Sequence, residues 1–142
     1  MHSGIILAIT GLFLTAHARA DCVMEAAERH YVNPLILHAI AQQESGGRAD
    51  AVNRNANGTL DRGAFQINSI HLPELKQHGI DASDLHDPCK SAYIAAWLLR
   101  REMNRAGNTW EAVGRYHSNT PFHRDKYAAA IMRRVQRMGA RQ

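Results

Sequence analysis

Two Asx-Pro steps, Asn33-Pro34 and Asp87-Pro88, constrain this chain more than any other feature. An Asn or Asp side chain satisfies the unpaired amides at a helix start, and proline suits the first helical position because no N–H is needed there. Apolar residues at helical spacing follow each step. Leu37, Ile40 and Ala41 form one stripe, which Gly46-Gly47 ends. Ala92, Ala96, Leu99 and Met103 form a second, with Cys89 and Tyr93 on an adjacent row and Gly107 closing it. Shorter helices are predicted over residues 22–30 and around Pro73 to His78. Another holds Trp110 and Val113, with Asn108 and Glu111 arranged as a capping box. A last helix runs from about His123, with Tyr127, Ile131, Val135 and Met138 inward. Residues 48–62 are polar and turn-rich, and read as an irregular loop or small hairpin. With no repeat and no sustained β alternation, the expected fold is all-α, mainly helical, with one irregular region.

Glu44 continues the stripe of Leu37, Ile40 and Ala41, so a carboxylate stands where a core-facing residue belongs. Burial and the negative end of the helix dipole both disfavour its charged form, which predicts a raised pKa. A carboxylic acid that keeps its proton near neutral pH can donate it to a leaving oxygen. A solvated glutamate at a frayed helix end is the competing reading of this stretch alone.

Residues 1–20 read as an export signal. Ile5 to Leu14 is too short an apolar run to span a bilayer comfortably, and Ala16-His17-Ala18-Arg19-Ala20 offers small-residue cleavage sites. Cleavage after Ala20 leaves one domain, residues 21–142, expected in the periplasm as a monomer without stable membrane insertion. An uncleaved anchor is the alternative. The mature chain carries sixteen Lys and Arg against thirteen Asp and Glu. Its excess is gathered at Arg124, Lys126, Arg133, Arg134, Arg137 and Arg141. Such a patch suits an anionic envelope polymer or an acidic partner, and export argues against nucleic acid. A solvated helix face explains most of these residues equally well.

Cys22 and Cys89, in an exported chain, are expected to form a disulfide. Closing so long a loop stabilises by on the order of 4 kcal/mol. Lipidation of Cys22 competes, but Asp21 before it fits a lipoprotein signal poorly. Seven histidines lie beyond residue 20, none paired at three- or four-residue spacing, so neither a metal site nor a cofactor is expected.

Three segments stand out together: Glu44-Ser45-Gly46-Gly47, Gly63-Ala64-Phe65-Gln66-Ile67-Asn68, and Gly114-Arg115-Tyr116-His117-Ser118. Their order and separations resemble those of the soluble lytic transglycosylases, lysozyme-like enzymes that cut the glycan strands of peptidoglycan, with Tyr127 as the later tyrosine of that pattern. The resemblance implies a lysozyme-like domain with Glu44 as catalytic acid. It implies that Ser45, Phe65, Gln66, Asn68, Tyr116, His117 and Tyr127 bind or position substrate, with Tyr116 hydrogen-bonded to Glu44. Phe65 and Ile67 also fit plain core positions, Gln66 could satisfy buried backbone groups, and Tyr116 could simply pack. The usual Asn after the third-segment tyrosine is His117 here, a variant resembling small members attached to secretion, conjugation or pilus machines. Components of such an apparatus are the implied partners. Asp61 is open to two readings, a second carboxylate of a hydrolytic variant or a loop cap beside Arg62.

Overall fold

A computed structural model describes residues 21–141; the expected export signal lies outside the described residues. Helix α1 (Cys22–His30) begins at Asp21, whose Oδ1 accepts from the Val23 and Met24 amides. Helix α2 (Pro34–Ser45) begins as its Asx-Pro step requires, with Asn33 Oδ1 accepting from Leu35 N at 2.8 Å. It ends where Gly46 (φ 66°) donates to the Gln42 carbonyl and Gly47 to that of Ala41.

The polar stretch that follows takes the hairpin form. Strands β1 (Val52–Arg54), β2 (Leu60–Arg62) and β3 (Ile67–Asn68) make an antiparallel sheet in that order, with Val52 opposite Arg62 and Asp61 opposite Asn68. Helix α3 (Leu72–Gln77) follows, then a 3-10 turn over Ala82–His86 that the apolar spacing does not foretell.

Helix α4 (Pro88–Ala106) buries Ala92, Ala96, Leu99 and Met103, the whole expected stripe. Asp87 caps it through Lys90 N at 2.8 Å. Helix α5 (Trp110–Arg115) is capped by Thr109, not Asn108: Thr109 Oγ1 accepts from Ala112 N. Helix α6 (Pro121–Gly139) starts two residues before His123, because Pro121 fills its first turn. Tyr127 and Ile131 face inward from it, with Val135 and Met138 partly buried against the core.

The fold is mainly α and lysozyme-like: six helices and one small sheet among the described residues. Helix α4 packs against α1 on one side and α5 on the other, while α6 lies against both α5 and α2. Leu37, Ile40, Phe65, Leu99, Val113 and Ile131 meet in the core. The Cys22–Cys89 disulfide joins the starts of α1 and α4, and the Arg100 guanidinium donates to the His30 and Tyr31 carbonyls at the end of α1.

Two glycines set close approaches that the site depends on. Gly63 adopts φ 79°, and a Cβ there would lie 1.9 Å from the Leu85 carbonyl oxygen. At Gly114 a Cβ would meet the Arg124 carbonyl oxygen at 2.4 Å, so its absence brings α5 against the backbone of α6.

Candidate functional site

Helix α2 delivers Glu44 on its last turn, half-buried at the floor of a cleft. Ser45 fixes that turn: its hydroxyl donates to the Ala64 carbonyl at 2.7 Å and accepts from Arg48 N at 3.0 Å. The expected substrate-contacting hydroxyl is thus engaged in tying α2 to the segment after Gly63. Tyr127, reaching over from α6, donates to Glu44 Oε1 at 2.6 Å. The Glu44 pKa is raised from its ordinary value to about 7: burial raises it most, the Tyr127 hydrogen bond works against that, and the charge of Asp61 adds to the rise.

The expected hydrogen bond from Tyr116 to Glu44 is not made. Tyr116 Oη donates instead to the Phe65 carbonyl at 3.0 Å. Helix α6 lies directly against α2, so the hydroxyl nearest the Glu44 carboxyl belongs to Tyr127. Burial first, and then the charge of Glu44, raise the pKa of both phenols, which keeps them neutral donors. Phe65 is also corrected. Its side chain is 2% exposed and belongs to the core, leaving only its carbonyl to serve the site.

Gln66, Asn68, Tyr116 and His117 do line the cleft with Glu44. Gln66 sits at φ 49°, uncommon for a residue with a side chain, and its amide anchors it there. Nε2 donates to the Gly63 carbonyl at 2.9 Å, and Oε1 accepts from Asn53 Nδ2 at 2.6 Å. His117 stacks on Tyr127 with ring centroids 4.7 Å apart and planes 4° from parallel. Burial, then the charge of His123, lower its pKa and favour the neutral ring.

Asp61 lies on β2 and faces the same cleft. Its two oxygens accept from Asn68 Nδ2 at 2.7 Å and Asn55 Nδ2 at 3.0 Å. The carboxylate ties the turn between β1 and β2, through Asn55, to β3, through Asn68. Asn55, Thr59, Ile70, His71 and His123 also reach the cleft and were not anticipated. Asn55 and Thr59 sit among polar neighbours that look alike in sequence until the strands pair.

Glu44 stands between two hollows. The one bounded by the sheet measures about 700 Å³ and mixes polar with apolar side chains, with no lysine or arginine in its lining. The other, about 530 Å³, lies along α6 and shares Glu44, His117 and His123 with the first. They meet at Glu44, whose raised pKa keeps a substantial share of the carboxyl protonated at neutral pH, and together offer room for an extended chain. Among the described residues, no group of three or more His, Cys, Asp or Glu converges as metal ligands, and no helix is long and apolar enough to cross a membrane.

In comparison with known proteins, residues 21–133 match the transglycosylase SLT domain. The chain belongs to the transglycosylase SLT family. Relatives of this SLT protein include Protein IpgF of Shigella flexneri, 41% identical over 133 residues, covering 90% of this chain and 88% of that one. Invasion protein IagB of Salmonella typhimurium is 36% identical over 143 residues, covering 97% and 89%. A peptidoglycan-binding-like protein of Escherichia coli O157:H7 is 32% identical over 117 residues, 77% and 70% of the two chains. The match takes in α1 through most of α6 and so includes Glu44, the sheet, Tyr116 and Tyr127; Arg134 and Arg137 of the α6 wall lie just beyond it.

Proposed function

We propose that this SLT protein is a lytic transglycosylase that cleaves the β-1,4 bond between N-acetylmuramic acid and N-acetylglucosamine in peptidoglycan. The observation that carries this reading is Glu44, a carboxyl with its pKa raised to about 7, held by Tyr127 where two hollows meet. The neutral acid gives its proton to the glycosidic oxygen as the bond to the anomeric carbon breaks. The substrate's N-acetyl group supports the cationic centre that results. The Glu44 carboxylate then takes the proton of the muramic 6-hydroxyl as that oxygen attacks the anomeric carbon. A 1,6-anhydro end forms and Glu44 regains its proton. A pKa near the working pH serves both halves of the cycle.

Gln66, Asn68, Tyr116 and His117 would then contact sugar, Tyr127 would position Glu44, and Phe65 and Ser45 would support them from within the protein. The reading places the enzyme in the periplasm, opening local gaps for an envelope-spanning apparatus; the name of the relative IagB, an invasion protein, accords with such service.

A hydrolytic reading has one observation in its favour. Asp61 is a second carboxylate on the same cleft, close enough for its charge to raise the Glu44 pKa. Product masses separate the two, because anhydro products lack one water. Digests of purified peptidoglycan are expected to contain anhydro ends, and mostly hydrated ends would overturn the transglycosylase reading. Glu44→Gln keeps the shape but cannot donate the proton. It should lower turnover by about 10²–10⁴-fold, and retained lysis would remove Glu44 from this role. Lost lysis with unimpaired function in the cell would point to a glycan-gripping scaffold instead.

A further inference from the structure

The two hollows that meet at Glu44 differ in charge. The sheet-side hollow has no cationic side chain in its lining, whereas the one along α6 is walled by Lys126, Arg133, Arg134 and Arg137. These residues recur at the spacing that keeps them on one side of α6. Glu44 is the one carboxylate that lines this hollow, and it is held toward its neutral form. None of the four cations makes an ion pair among the described residues. Arg101, Arg105, Arg115 and Arg124, on other faces, are each paired with an acid of their own chain. Arg134 is held at the site, its Nε donating to Gln43 Oε1 at 2.7 Å on the residue before Glu44. Unpaired cations lining a concave surface concentrate negative charge there.

We infer that the α6 wall is a subsite for the free carboxylates of the peptide stems that substitute muramic acid. This rests on peptidoglycan being the substrate. Glu44 and Arg134 line one hollow, and Arg134 is tied to the residue before Glu44, so a stem on a muramic residue next to the scissile bond would meet this wall. The dimensions agree. Lys126 and Arg137 are eleven residues apart on a helix, about 16 Å, and an extended stem of four or five residues spans about 13–18 Å. The protein would thereby prefer stem-bearing strands to naked ones, with the hollow that lacks lysine and arginine holding sugar and the cationic hollow holding peptide.

The test measures binding with Glu44→Gln protein, so that nothing is cut. The probes are a soluble glycan fragment with its stems, the same fragment stripped of stems by an amidase, and a third with its stem carboxylates amidated. The stem-bearing fragment should bind about tenfold tighter than either of the others, and the advantage should shrink as salt rises. Adding Arg133→Gln and Arg137→Gln, both at exposed positions, should bring the three affinities together. Equal affinities before that change would overturn the inference, as would an advantage that survives amidation. So would an acidic protein that docks on this wall while stems make no difference. Cleavage by the unaltered protein is scored separately. A stem preference without anhydro products would remove the transglycosylase reading and leave the stem subsite standing.

Discussion

Glu44 is pulled in two directions. Burial favours its neutral acid, the Tyr127 hydroxyl favours its carboxylate, and Asp61 tips the outcome back toward the acid. The consequence for stability follows from the sign of the shift. The folded pKa, about 7, lies above the unfolded value. The stabilising contribution of the protonated group is therefore complete at low pH and lost as pH rises through 7. Glu44→Gln should leave stability nearly unchanged at pH 4. At pH 8 it should raise it by up to about 3 kcal/mol, a difference that denaturant titration at the two pH values would read. Tyr127→Phe acts on the other side of the balance. Without the phenol the carboxylate loses a donor, the Glu44 pKa rises further, and the basic limb of the pH–rate profile moves up. Losing a hydrogen bond to a charged group should also cost about 10–100-fold in turnover. Glu44 was legible because a carboxylate interrupting an apolar stripe is visible in one dimension. Its partner was not. Whether Tyr116 or Tyr127 reaches the carboxyl depends on how α6 lies against α2, between residues 83 positions apart.

At the scale of elements, legibility followed the capping signals. Asn33-Pro34 and Asp87-Pro88 located α2 and α4 to the residue, since both the cap and the proline act locally. The strands were visible only as a polar interval. The residues of β1 are all exposed and those of β2 all half-buried, so neither carries the alternation by which a strand announces itself. The start of α5 was misplaced by one residue because Asn108 and Thr109 are both good caps. Choosing between them needs the backbone, which turns Thr109 Oγ1 toward Ala112 N. Gly63 is the element-scale joint with the clearest prediction. A methyl group there would face both a left-handed backbone and the Leu85 carbonyl. Gly63→Ala should therefore cost about 2–5 kcal/mol. Because Gln66 anchors to the Gly63 carbonyl, turnover should fall even where thermal unfolding shows the variant still folded.

Over the whole molecule, charge and covalent structure are both unevenly distributed. The cations of α4, α5 and the start of α6 are largely neutralised within the chain, while those farther along α6 are left for solvent or for a ligand. The expected bridge between Cys22 and Cys89 is present and closes a separation of 67 residues. Replacing both cysteines with serine should lower stability by about 4 kcal/mol, read as an earlier midpoint in denaturant. The effect belongs mainly to the unfolded chain, whose freedom the link restricts. The same bridge divides the backbone into two kinds of position. Glu44, Asp61 and Gln66 lie on a covalent ring, whereas Tyr116, His117 and Tyr127 lie on an arm beyond it. A protease that nicks the ring once between Cys22 and Cys89 leaves a single molecule. One cut at the Gly107 turn severs the arm that carries the tyrosine from the ring that carries the acid, and only packing then keeps them together.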